Sequence, residues 1–332
     1  MDIYFGNIAE AEYTAHPLTL VDIGARGGLQ PNWRKATRHL RVIGFEPDPE
    51  EFARLASKQE RGRIYFDVAL HGAPGEVALN LARSPGTSSL LEANHAFLSR
   101  FPEAERFEVV KQVRLRADTL DNVLAANDMG AVDFLKIDTQ GAELAILQGA
   151  RRTLAQHVFG VELEVNFGPL YVGQPTFGEL DAFLRALGLQ LIDLRPAYWK
   201  RLYGARFGGP KGQLVFGDAL YFVTEERFQQ RLADMAEVHV RRGVLLRAMS
   251  VCLLYGYVDY ALELLRPNTG LFEPSIAAEI ERRLRADVRV STRVPHFRGR
   301  GLLSHVFYRL HRMLFPTYGG WASGGRNLGN ID

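Results

Sequence analysis

A single cysteine among 332 residues leaves Cys252 without an intrachain partner, so no disulfide framework holds this chain together. Disulfide-free chains suit reducing compartments, and a cytoplasmic setting is the expectation. No set of His and Cys residues stands at ligand spacing, and no metal site is expected. Long hydrophobic runs are missing as well: none approaches the roughly twenty apolar residues of a membrane-spanning helix. The first thirty residues lack a basic start followed by an apolar stretch, so no signal peptide is expected. Internal repeats are absent. A formal net charge of +2 says little by itself, because the charge is unevenly spread. Between Glu281 and Arg312 nine arginines face two acids, which leaves the remainder mildly acidic.

What is present is the balance of an ordinary soluble globular protein, 47% hydrophobic and 23% charged, long enough for one large α/β domain with an extension. Short apolar runs alternate with helical patterns over the first two thirds. Strands are expected at 18–22, 41–46, 64–69, 132–138, 159–165, 189–194 and 219–223, with a short hairpin or crossover piece at 77–81. Helices are expected from about Glu50 to Lys58, behind Pro47 and Pro49, from Gly141 through Leu154, and from Glu179 to Leu187, closed by Gly188. This alternation predicts a doubly wound, mostly parallel sheet covered on both faces, with 219–223 returning antiparallel at an edge. The pattern divides the chain into 1–225, a helical 226–300 expected as a separate cap or dimerisation module, and 301–332. In that last part Leu302, Leu303, Val306, Phe307, Leu310, Met313 and Leu314 share one helical face, and the glycine-rich stretch from Thr317 is expected to be poorly ordered.

Asp22-Ile23-Gly24-Ala25-Arg26-Gly27-Gly28 follows the first strand. Such a turn needs glycine where the backbone nears a ligand or takes positive φ. The dinucleotide fingerprint would require glycines at Arg26 and Leu29, so it fails. The acid ahead of the first glycine suits a ligand bearing an ammonium group and repels a pyrophosphate. Glu46 ends the second strand 22 residues after Gly24, at the carboxyl edge where doubly wound sheets bind ligands, and can accept from both hydroxyls of a ribose. Asp67, late in the third strand, can accept from an adenine amine, with Val68 supplying a backbone contact. Each acid alone also reads as a helix cap or a surface charge; three at successive strand ends favour a nucleoside pocket.

With these residues stands a resemblance. VDIGARGG (21–28), GFEPDPEEF (44–52), DVALHGAPGEVAL (67–79), GTSSLL (86–91), DTLDNVL (118–124) and DFLKIDTQGAELAILQGA (133–150) are similar to the FkbM family of methyltransferases. The last is the most specific, and the similarity spans about 18–225. It implies a Rossmann-like class I methyltransferase fold, S-adenosyl-L-methionine as cofactor, and O-methylation of acceptors such as polyketides, glycans or glycolipids. Carried onto this chain, it implies cofactor contacts from Asp22, Gly24, Ala25, Arg26, Gly27, Glu46, Pro47, Asp67, Val68 and Asp138. Arg26 departs from the asparagine many members carry, and it opens the question whether this side chain pairs with the methionine carboxylate. Thr139-Gln140 stands where valine and glutamate are common.

Methyl transfer to an alcohol needs alignment and a base, and no metal. Asp138, at the carboxyl end of the fourth long strand, is the first candidate base, with a helix cap as its alternative reading. Glu143 either stabilises the first turn of the next helix or orients a ligand. His71 is a second base candidate or a surface histidine. Lys136 alternates with Asp138 and either snorkels or pairs. Glu162 and Glu164 share a face of their strand, so they need partners or a cleft; Glu164 and Tyr171 are the candidate acceptor residues. The Asp/Asn-Pro-Pro-aromatic run of base N-methylating enzymes is absent, and the lone cysteine lies outside the catalytic region, which moves nucleic acid down as a substrate. The expected acceptor is a small polyhydroxylated molecule or glycan. A nicotinamide-dependent oxidoreductase and a catalytically silent binding module remain the rivals. For 281–315 a solvated or self-packed face, a homodimer contact and a peripheral membrane contact are all open.

Overall fold

Eleven strands and twelve helices are formed by the residues that the computed structural model describes, namely 2–205, 211–291, 297–314, 320–324 and 328. The strands are β1 (Leu18–Ile23), β2 (Leu40–Phe45), β3 (Arg63–Phe66), β4 (Ala69–Leu70), β5 (Gly75–Ala82), β6 (Val109–Asp118), β7 (Phe134–Ile137), β8 (Gly160–Asn166), β9 (Leu189–Trp199), β10 (Gln213–Val223) and β11 (Ala322–Gly324). The helices of the first two thirds are α1 (Glu10–Ala15), α2 (Pro49–Ala56), α3 (His95–Leu98), α4 (Leu120–Ala126), α5 (Glu143–Gly149), α6 (Arg151–Gln156) and α7 (Phe177–Ala186). Beyond them come α8 (Glu225–Ala233), α9 (Val238–Leu254), α10 (Val258–Leu265), α11 (Pro274–Ser291) and α12 (Arg300–Leu314).

The main sheet runs β11-β9-β10-β8-β7-β1-β2-β3. From β8 to β3 every pairing is parallel, whereas β10 pairs antiparallel with both β8 and β9. Every residue of β1, β7 and β8 is buried, the signature of strands covered on both faces. The fold is therefore the expected doubly wound, Rossmann-like α/β sheet, with its order reversing beside β1, where ligands of this architecture bind.

Three local expectations are corrected. The strand read as 64–69 is two: β3 stays in the main sheet, while Ala69 and Leu70 cross into a small sheet ordered β4-β6-β5. Strand β6 was absent from the sequence reading. It is mostly exposed, so only the faint alternation of Val113, Leu115 and Ala117 marks it. The single helix expected from Gly141 is α5 and α6, divided at Ala150. A Cβ on Gly149 would stand 2.3 Å from the His71 carbonyl oxygen, so only glycine permits the loop after β4 to pack here.

The C-terminal helices, expected as a separate module, share one apolar core with the sheet. Helix α9 is buried from Leu245 through Leu254. Phe134 stacks on Tyr255 and meets Trp33, which places the end of α9 against the centre of the sheet. Arg247 of α9 pairs with Asp133 at 2.8 Å, and the Tyr13 hydroxyl bonds Ser250 of α9 at 2.6 Å. Of the tail from Thr317, residues 320–324 and 328 are described: β11 pairs antiparallel with β9 at the sheet edge, and Leu328 is buried in the core. The expected disorder at 317–319, 325–327 and 329–332 lies outside the described residues, as does Phe315; nothing is described of the Met313 side chain.

Candidate active site

At the carboxyl edge of β1, β2 and β7 lies a cavity of about 290 Å³. Three parallel strands end there, and each contributes the residues just beyond its tip. From β1 comes the glycine loop. Gly24 takes φ +78°, and a Cβ on it would stand 2.0 Å from the Asp138 carbonyl oxygen, so any side chain would push the β1 and β7 tips apart. The Gly24 and Ala25 N–H groups both donate to the Phe45 carbonyl, tying the loop to β2. Gly27 donates to Glu51 at 2.8 Å, and Arg54 bonds the same carboxylate. The Arg54 bonds pull Glu51 down to about 2, with the Gly27 N–H adding to them against desolvation. Glu51 thus anchors the loop from α2, a role the sequence reading missed.

Arg26 lines the cavity, but its guanidinium is paired with Asp48 at 2.5 Å. The open question about Arg26 thus has a local answer: the charge it meets belongs to the same wall. Asp48 also caps α2, accepting from the Glu50 N–H at 3.0 Å with Pro49 in the first turn.

From β2 comes Glu46, buried and lining the cavity beside Pro47. Its carboxylate accepts the Asp48 N–H at 3.0 Å. Burial raises its pKa above the usual carboxylate range, with that hydrogen bond opposing. From β7 comes Asp138, exposed to the cavity. One of its oxygens accepts from the Gln140 amide at 3.0 Å, and among the described residues the other has no hydrogen-bond partner. Lys136, also at the wall, pairs with buried Asp22 at 3.1 Å. Burial pushes Lys136 down, but Asp22, Asp138 and Glu162 outweigh it, so the ammonium stays charged. Asp22 therefore sits behind the glycine loop as half of an ion pair and is not among the residues lining the cavity.

Gln140 organises the next layer. Its backbone is left-handed, φ +58°. Its amide nitrogen reaches both Asp138 and Glu164, the latter at 3.1 Å. Its amide oxygen is 2.9 Å from the Tyr171 hydroxyl, and its carbonyl accepts from Ser89 at 2.6 Å. Glu164 is buried, and its other oxygen has no partner among the described residues. Burial, reinforced by the Asp138 and Glu143 carboxylates, pushes it well above the usual range. Glu164 and Tyr171 thus meet Asp138 through Gln140 and stand behind the wall that Gln140 forms.

Three further candidates stand elsewhere. Asp67 is exposed and outside the cavity lining, because the chain leaves the main sheet after Phe66; its neighbour Val68 does line the wall. His71 is half-buried behind Gly149, its N–H bonded to the Asp118 carbonyl, and it too is outside the lining. Glu143 is buried; its Oε1 accepts from Thr139 and Gly141 of the preceding loop, and its Oε2 from the Gly141 N–H. Its carboxylate closes that loop. Ala25 and Gly27 also lie outside the lining. Gly86, Ser88 and Leu90 of the GTSSLL segment, with Pro85 just before it, also line the cavity. Among the described residues, no group of three His, Cys, Asp or Glu side chains could hold a metal ion.

Compared with known proteins, residues 22–191 match the family described as the methyltransferase FkbM domain. No curated protein matches the chain. Among solved structures, the chain is similar to a methyltransferase FkbM from Methylobacillus flagellatus KT, with 16% identity and TM-score 0.38; the match covers 62% of this chain and 43% of that one. It is also similar to the magnesium protoporphyrin IX methyltransferase of Synechocystis PCC 6803, solved with bound SAM (9% identity, TM-score 0.33, 67% and 80% covered). A TehB-like SAM-dependent methyltransferase from Corynebacterium glutamicum gives 13% identity and TM-score 0.28, with 67% and 88% covered. The chain thus spans less than half the length of the first of these three.

Proposed function

The chain belongs to the FkbM methyltransferase family, and on that premise we propose that it moves the methyl group of S-adenosyl-L-methionine onto a hydroxyl of a sugar, glycolipid or other small polyhydroxylated acceptor. One observation carries this reading: Gly24, Glu46 and Asp138, from three parallel strand tips, line a single cavity. The residues fit the cofactor. Glu46 keeps acceptor capacity beyond its one bond from Asp48, which suits the two donors of a ribose diol. Apolar Ile23, Val68, Leu79 and Ile146 supply walls for a flat base, and the glycines leave room for the chain of a methionine.

S-adenosyl-L-methionine supplies a methyl on a positively charged sulfur, which departs as a neutral thioether. The protein's own part is to orient the acceptor and take its proton. The free oxygen of Asp138, open to the cavity, would take the proton of the acceptor hydroxyl, while Glu46 and the glycine loop would hold the cofactor that supplies the methyl group. Gln140 fixes the other oxygen, so the carboxylate is aimed before the acceptor arrives. The buried Cys252 lies in α9, in the core shared with the sheet, so it offers no nucleophile to the cavity. The rival oxidoreductase lacks a glycine fingerprint, and a silent binding module has no use for an exposed, aimed carboxylate.

Titration calorimetry of the full chain with S-adenosylhomocysteine tests the cofactor. Binding is expected, weakened about tenfold or more in Glu46→Ala. No heat with the unaltered chain overturns the cofactor assignment. Methyl-labelled cofactor offered with sugars and glycolipids tests the acceptor: an alkali-stable ether product is expected, and label recovered only on nitrogen or in an alkali-labile ester overturns the hydroxyl reading.

A further inference from the structure

Helix α12 is amphipathic, and its apolar side is uncovered. Leu302, Val306, Phe307, Leu310 and Leu314 fall within roughly 140° of arc at 3.6 residues per turn. All are exposed, with Leu302 at 73%, Phe307 at 63% and Leu314 at 83%. Buried helices hide their apolar residues, and α9 of the same chain is covered on every side from Leu245 to Leu254. Contiguous exposed apolar surface on a soluble domain marks a place where something else docks.

Charge identifies the occupant. From Val288 to Ile331 the sequence holds seven arginines and neither aspartate nor glutamate. On the helix, Arg309 and Arg300 stand at the two margins of the apolar arc, where long cationic side chains reach a polar layer while the face between them sits in an apolar one. A second copy of this chain laid face to face would bring the same cations together. An anionic lipid surface matches both features: its acyl boundary takes the leucines and Phe307, and its headgroups take the arginines. The described helices include none long and apolar enough to cross a membrane, so the helix would lie in the interface plane.

We propose that α12 is an in-plane docking element for an anionic membrane surface. The proposal does not depend on the methyl-transfer reading, because it rests on residues outside the cavity. Its test is co-sedimentation of the full chain with phosphatidylcholine vesicles and with vesicles that also contain phosphatidylserine. Binding is expected only to the second, and it should weaken as salt rises. Phe307→Glu should lower the partition by on the order of tenfold. Arg309→Glu should lower it by a smaller factor, and both variants should keep the parent's thermal transition, since both side chains are exposed. Failure of the unaltered chain to sediment with phosphatidylserine vesicles overturns the proposal, as does binding that Phe307→Glu leaves intact. Vesicle-independent self-association that Phe307→Glu abolishes would assign the face to a second copy instead, and also overturns it.

Discussion

The centre of the main sheet and its carboxyl edge both carry acids, yet the two sets are treated differently. In the centre each acid is matched. Asp22 has Lys136, Asp133 has Arg247 and the Thr19 N–H, and Glu162 has the Tyr255 hydroxyl at 2.6 Å. At the edge the matching is incomplete. Glu46 has one backbone donor, Asp138 keeps an oxygen open to the cavity, and Glu164 keeps an oxygen with no partner at all among the described residues. Glu162 and Glu164 make the contrast sharpest: they stand two residues apart on one face of β8. A buried carboxylate without a partner costs free energy. Glu46 and Asp138 stand at strand tips on the cavity, with Glu164 behind its wall, whereas the matched acids tie strand to strand or the sheet to α9.

That division is broken or sharpened by substitution. The largest effect is expected at the edge: Asp138→Asn should lower methyl transfer about 10²- to 10⁴-fold while S-adenosylhomocysteine still binds, read by single-turnover kinetics beside calorimetry. Equal activity in the variant would remove Asp138 as the base. In the centre the expected loss is of stability. Arg247→Ala strands Asp133 and should cost about 3–5 kcal/mol in denaturant unfolding, with the cofactor affinity of the folded fraction unchanged. Tyr255→Phe removes the main donor to Glu162 and leaves, among the described residues, Gln30 at 3.4 Å, for a loss of about 1–3 kcal/mol.

Two smaller effects probe the boundary. Gln140→Glu sets a third carboxylate between Asp138 and Glu164. Like charge favours the protonated forms, so the acid limb of kcat/KM against pH should move to higher pH by on the order of one unit. The least is expected of Glu164→Gln. Burial, then the nearby acids, raise Glu164 in the folded state, so the folded chain holds a proton that the unfolded chain has released. Its contribution to stability is therefore full below the unfolded carboxylate value of about 4.3 and drains away as pH rises through the folded value. The variant should lack that decline, and stability measured from acid to neutral pH should be flatter than in the parent.

Much of this arrangement is visible in the order of residues. Glycines at 24 and 28, an acid at the end of each of two apolar runs, and the segment 133–150 mark the cavity's position, because strand tips and tight turns are written locally. The errors share a cause. The expectation for Asp67 holds only if its strand continues, and the crossing into the small sheet moves it outward. Glu143 and His71 are suitable chemistry in suitable loops, yet one is consumed by its own loop's N–H groups and the other lies outside the cavity lining, its backbone carbonyl packed on Gly149. Gln140 gave no signal beyond its departure from a familiar motif, although four side chains or backbone groups converge on it.

By itself the sequence determined the parallel strands, their order of appearance, the turn that only glycine permits and the family to which the chain belongs, since periodicity and backbone sterics act over a few residues. Tertiary structure alone decided which acids are matched. The partners of Asp133, Asp22 and Glu162 lie 114, 114 and 93 residues away, and no local pattern records a contact that exists only after the chain has closed on itself. It also decided that α9 is covered on every side while the apolar stripe of α12 is not, because a run of apolar residues states a need for cover and leaves open what provides it.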